Sequence, residues 1–194
     1  MKPLEIVSAS LAILGVTMML LLISGGSVLL SISLTILACI YNPLGIFYFN
    51  KIPIRRMFKK EYYEGISVLR LVGATLGGIV LSILSVGMLF KLLQLPGSGI
   101  MLAVGLIPGS ILCLVVLIKF LIKREITFYR EMLVRSLLVV GLSGIIYVIP
   151  GLTMVKTFFR DHPDYIEAYE KAMNNPDDKE LYRRAEEIRE KISD

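Results

Sequence analysis

The sequence predicts an all-α, polytopic transmembrane helical bundle of five spans, built as two related hairpins plus one helix and followed by a short C-terminal helical hairpin. Three observations carry that prediction. Mean hydropathy is +0.72 and 55% of the 194 residues are apolar, more than a soluble core of this size needs. No charged side chain lies between Glu5 and Lys51. One helix of that length would measure roughly 68 Å, whereas a bilayer core is only about 30 Å thick, so the stretch crosses twice. Finally, three further charge-free windows, 71–90, 92–118 and 136–155, are each long enough for one crossing.

The spans are expected at about 6–23, 28–49, 71–93, 100–122 and 132–150, inside a transmembrane domain 1–155 that precedes an extramembrane acidic tail, 156–194. The start Met1-Lys2-Pro3 superficially matches a secretory signal, but the apolar run 6–23 exceeds the usual ~7–15-residue apolar region and a second crossing follows at once. The polar interruption Ser24-Gly25-Gly26-Ser27 marks the first reversal, with Gly25 and Gly26 as its turn residues. In the third span, Gly73 and Gly77 share a face with Leu81, while Ala74 and Gly78 form an adjacent ridge with Ser82. Small residues at this spacing let a neighbouring backbone approach closely. Pro96 and Gly97 punctuate the second reversal, and Gly105 with Gly109 repeats the small-residue spacing in the fourth span. Pro108 removes one backbone hydrogen bond there and predicts a kink. Arg135 intrudes at the start of the fifth span and is expected to snorkel to the cytoplasmic interface. Because Pro150-Gly151 can end this helix early, a four-span alternative with a re-entrant last segment and a cytoplasmic tail is the runner-up.

A shift of 72 positions aligns Gly15 with Gly87, Gly25 with Gly97 and Leu34 with Leu106, which suggests that the first hairpin is repeated in parallel by the second. The basic residues sit in loops. Lys51, Arg55, Arg56, Lys59, Lys60 and Arg70 follow the first hairpin, and Lys119, Lys123, Arg124 and Arg130 follow the second. The positive-inside rule therefore places these loops and the N-terminus in the cytoplasm. The uncharged turns, and the tail with eight basic and eleven acidic residues, go to the other face of an inner membrane.

Chemistry-bearing residues are few. The two cysteines, Cys39 and Cys113, lie within spans and indicate neither disulfide framework nor metal site. His162, the one histidine, lacks a second imidazole and is expected to cap the helix that starts at Pro163. No cofactor, metal ligand set or catalytic group is expected. The basic run 50–70 contains Ile52, Phe58 and Tyr62, a composition suited to the anionic headgroup layer, or equally to a plain solvated loop with aromatic anchors, rather than to nucleic acid. Lys91 is the one charge set within the spans, about a turn from Pro96, and an intramembrane charge is a functional candidate by default.

The run Phe90-Lys91-Leu92-Leu93-Gln94-Leu95-Pro96-Gly97, continuing through Met101-Leu102 to Gly105-Leu106, resembles the helical hairpin of GldL-like multi-pass inner-membrane proteins of Bacteroidota. The resemblance extends more loosely to the first hairpin and to Tyr41-Asn42-Pro43-Leu44-Gly45. It implies a component of an ion-driven motor that partners a periplasmic shaft protein. The family's acidic residue would fall at Gly109, and Gln94 stands where a histidine is frequent, so Lys91 alone carries over. The expected function is therefore a non-enzymatic integral membrane subunit or scaffold of an envelope complex, with lipid as its solvent and an envelope protein as partner through 156–194. A GldL-like motor or channel component and a small transporter are the alternatives.

Overall fold

The computed structural model describes all residues except Met1, Pro43, Met57, Pro96, 123–126, Pro176, Asp177 and Asp194. Among the described residues the chain is all-helical: α1 (Lys2–Leu20), α2 (Gly26–Tyr41), α3 (Gly45–Phe49), α4 (Val68–Leu92), α5 (Ser98–Ile122), α6 (Thr127–Val148), α7 (Gly151–Phe158), α8 (Pro163–Asn174) and α9 (Lys179–Ser193). Short 3-10 turns at Ile54–Arg56 and Lys60–Tyr63 fill the loop before α4. Four helices, α1 from Pro3 onward, α4, α5 and α6, are long and apolar enough to cross a membrane. Their outward residues are large and apolar, as with Ile13, Ile107, Ile111, Leu138 and Ile145. In water such faces would be a severe liability; in lipid they are the solvated surface. The protein is a membrane-embedded helical bundle.

The second predicted span, 28–49, is corrected. Helix α2 has 16 residues and closes at Tyr41, about 24 Å of helix, and α3 follows as a separate turn. Proline at 43 supplies no N–H and restricts the residue before it, so the helix cannot run on. The segment after the break folds inward: Tyr48, Phe49, Asn50 and Ile52 are all buried. The last span starts earlier than 132, at Thr127, and the tail starts earlier than 156, because α7 spans that boundary. Three helices therefore follow α6, with the expected hairpin being α8 and α9. Helix α5 runs through Pro108, from Ser98 to Ile122.

The two long hairpins match turn for turn. Helix α1 ends at Leu20 and α4 at Leu92, and α2 begins at Gly26 and α5 at Ser98, each pair 72 positions apart. Leu22 and Gln94 both adopt left-handed backbone (φ 57° and 56°), as do Gly25 and Gly97 (87° and 76°). The closing hydrogen bonds recur as well: Ile23 N–H to Met18 O at 2.9 Å corresponds to Leu95 N–H to Phe90 O at 2.8 Å. So does the packing. A Cβ on Gly15 would lie 3.1 Å from Leu30 Cα, and one on Gly87 would lie 3.4 Å from Leu102 Cα. Leu30 and Leu102 are both fully buried. A left-handed leucine or glutamine is uncommon, and its recurrence at one offset marks a common turn design.

The core lies where α2, α4 and α6 meet, around Leu34, Leu81, Leu84 and Met132. Gly78 faces the end of α2: a Cβ there would collide with the Tyr41 carbonyl and lie 3.2 Å from Gly45 Cα. Gly77 admits Met132, Gly105 sits against Leu84 and Ile83, and Gly109 against Val140 and Leu84. Ala74 is fully buried. Gly73 departs from the expected packing set: a Cβ there would meet nothing within 4 Å, because this position lies on the open side of α4.

Candidate functional site

The charges that enter the bundle come together at one place. Glu5, in the first turn of α1, and Arg135, two turns into α6, form an ion pair with Nε at 2.9 and 3.2 Å from the two carboxylate oxygens. Their side chains are only 13% and 14% exposed. Arg135 does not snorkel as expected but points across the bundle. It donates from Nη1 to the Glu131 carbonyl at 2.9 Å and from Nη2 to the Tyr48 hydroxyl at 2.9 Å. Its guanidinium carbon stands 4.9 Å from the centre of the Tyr48 ring. Glu5 also accepts the Tyr41 hydroxyl at 2.8 Å and the Tyr48 hydroxyl. Three elements, α2, α3 and α6, thus converge on one carboxylate of α1, which is how a charge is kept inside a low-dielectric region. Glu131 lies beside this cluster, 3.4 Å from Lys51 and 3.8 Å from Arg135.

This cluster closes one end of an elongated groove of about 1170 Å³ between α1 and α6. Helix α1 packs chiefly on α2, which leaves its other flank apart from α6. Ile13 and Val16 of α1 and Leu138 and Leu142 of α6 form the walls, over a floor that includes Leu34 and Met88. Met154 and Phe158 of α7 close the far end, where α7 also touches α1. The groove is open along one side, and its apolar lining accepts hydrocarbon.

A third assembly lies at the other end of the bundle. Gln94, buried and left-handed in the second turn, donates from Nε2 to Lys91 O at 2.7 Å and to Met154 Sδ at 3.1 Å. Its Oε1 accepts the Tyr169 hydroxyl at 3.4 Å, and its carbonyl meets Arg189 Nη1 at 3.5 Å. The tail is thereby tied to the second hairpin. Within the tail, Val155, Tyr165 and Ala185 form a small core with Ile188 and Ile192 beside it. Burial pushes the Tyr165 phenol up to about 12 and raises Tyr169 as well.

Lys91 lies in the last turn of α4, half-buried, and its ammonium forms no ion pair among the described residues. His162 occupies the N-cap of α8, but its side chain makes no capping bond; Pro163 starts the helix. Gly25 and Gly97 occupy the turns, Gly26 begins α2 with Gly15 O 3.0 Å from its Cβ position, and Pro96 lies outside the described residues. Among the described residues no group of three or more His, Cys, Asp or Glu side chains is placed to hold a metal. Sequence reasoning missed Glu5, Tyr41 and Tyr48 as one unit, and the groove with them. The available signal was two opposite charges, Glu5 and Arg135, each just inside an apolar segment at the same end of the bundle.

Fold and site together define a polytopic helical membrane protein with a buried ion pair and a side groove. No protein-family model, curated protein or solved structure matches the chain.

Proposed function

We propose that the protein is a non-enzymatic integral inner-membrane subunit or scaffold of an envelope complex, with N-terminus and basic loops cytoplasmic and the tail periplasmic. The observation that carries this reading is the docking of the tail. Helices α7 to α9 are pinned through Gln94 to the end of α4, the end opposite the basic loop that precedes α4. Val155, Tyr165, Ala185, Ile188 and Ile192 pack together within the tail. Apart from Tyr182, what α9 turns outward is charged: Arg183, Arg184, Glu186, Glu187 and Glu190 are exposed. A folded cap with a solvated outer face, held at this end of the bundle, is placed to meet a partner on that side. Copurification after mild detergent extraction should recover a stoichiometric partner, and its loss on deleting 179–194 should leave the bundle intact; a persistently solitary monomer would refute the reading. A reporter fused after Asp194 should be active only on the periplasmic side.

A motor or channel role of the GldL-like kind rests on Lys91, whose half-buried ammonium is unpaired among the described residues. Full rescue of a deletion strain by Lys91→Ala would dispose of it.

A further inference from the structure

We propose that the α1–α6 groove is a binding site for one anionic glycerophospholipid, its acyl chain lying along the groove and its headgroup at Arg130. The site goes beyond the scaffold reading and does not depend on it.

The shape of the groove selects a chain over a helix. A partner or second-copy transmembrane helix lying in it would need to leave at both ends. One end is bridged by the Glu5–Arg135 pair, and α7 closes the other. The side between α1 and α6 faces lipid, with Ile13, Leu138 and Leu142 exposed along its rim. From Arg135 to Val148 the wall on α6 runs about 20 Å, more than the ~15 Å depth of one leaflet's hydrocarbon. It therefore suits a chain held extended. Thr17, Thr153 and Thr157 on the lining do not alter this apolar character: Thr17 and Thr157 donate to backbone carbonyls in their own helices, at 2.9 and 2.8 Å.

Charge selects the headgroup. Of the charged groups that line the groove, Glu5 and Arg135 satisfy one another, and Glu131 is held by Lys51 and Arg135. Arg130 also lines this end, is exposed, and makes no ion pair among the described residues. The mouth therefore presents a cation with no ion-pair partner among the described residues, at the depth where a headgroup sits above a chain inserted beside Arg135. A guanidinium there matches a phosphodiester oxygen pair. Zwitterionic lipids offer the same phosphate but carry their own cation next to it.

The full chain in nanodiscs of equimolar phosphatidylglycerol and phosphatidylcholine with identical chains supplies the test. Native mass spectrometry should find one retained lipid, with phosphatidylglycerol favoured by about fivefold, the discrimination that one surface cation provides. Arg130→Gln should bring that preference close to unity while a chain is still retained. Ala9→Trp, which fills the groove from α1, should abolish retention with helicity unchanged. In the unaltered chain, phosphatidylglycerol with a photoactivatable acyl chain should label Ile13, Leu138 and Leu142 in preference to Ile107, Ile111 and Leu114 on the lipid face of α5. Labelling distributed equally over both sets, or equal retention of the two lipids by the unaltered chain, would overturn the proposal, even if the Ala9 substitution prevented folding.

Discussion

Replacing Arg135 by Met tests whether the Glu5 cluster holds α6 to α1. The change removes the paired bonds from Nε to Glu5, at 2.9 and 3.2 Å, and the bonds at 2.9 Å to Tyr48 and to the Glu131 carbonyl. Glu5 keeps the Tyr41 and Tyr48 hydroxyls but loses its counter-charge. Breaking a buried pair costs ~3–5 kcal/mol, and the two remaining donors place this loss near the lower end, about 3 kcal/mol. For a chain of this size that is a fall of roughly 6–12 °C in Tm. Glu5→Leu should cost a similar amount by stranding the guanidinium. The double variant Glu5→Leu/Arg135→Met, apolar on both sides, should lose clearly less than the sum of the singles, the remaining loss reflecting the Tyr41 and Tyr48 hydroxyls left without their acceptor. Circular dichroism melts and dodecyl sulfate titrations in maltoside micelles would measure all four corners of the cycle. Losses in the double variant equal to the sum of the singles, or singles within about 0.5 kcal/mol of the parent, would refute the argument that the pair is a mutual necessity.

Gly78→Ala should destabilise by about 1–3 kcal/mol, since its Cβ meets backbone at Tyr41 and Gly45 that cannot swing aside. Gly73→Ala, in open space, should be neutral or gain up to about 1 kcal/mol, and the same melts report both. Leu30→Ala and Leu102→Ala, fully buried at corresponding places in the two hairpins, should each lose about 2–5 kcal/mol; a large loss in one alone would show that the hairpins are packed differently. The Tyr165 phenol, pushed up to about 12 by burial against the pull of Arg189, with Tyr169 and Glu186 adding to the rise, keeps its proton longer folded than unfolded. Tail stability should therefore be complete below pH ~10 and decline as pH rises between ~10 and ~12. The difference in phenolate absorbance between the parent and Tyr165→Phe should show a midpoint near the upper value, and a midpoint near 10 would contradict it.

Charge-free windows located α4 and α5 well, because the exclusion of charge from hydrocarbon acts residue by residue and leaves a direct trace. The reversals at Gly25 and Gly97 were equally legible, since left-handed turns call for glycine. Helix α2 was over-extended because Phe47, Tyr48 and Phe49 are as apolar as a span; only the proline at 43 distinguishes the inward-folded turn from continuing helix. Gly73 shares its spacing with Gly77, yet spacing does not reveal which face a neighbour occupies. The Glu5–Arg135 pair and the groove depend on how α1 lies against α6, and no local pattern encodes an arrangement between helices so far apart in the chain.

That separation has a consequence for biogenesis. Glu5 and its counter-ion are 130 positions apart, so at ~5–20 residues per second a ribosome delivers the arginine roughly 7–26 s after the carboxylate. During that interval the first helix carries a carboxylate that lacks its counter-charge, and only the arrival of α6 supplies it. Helix α6 is thus the latch on α1.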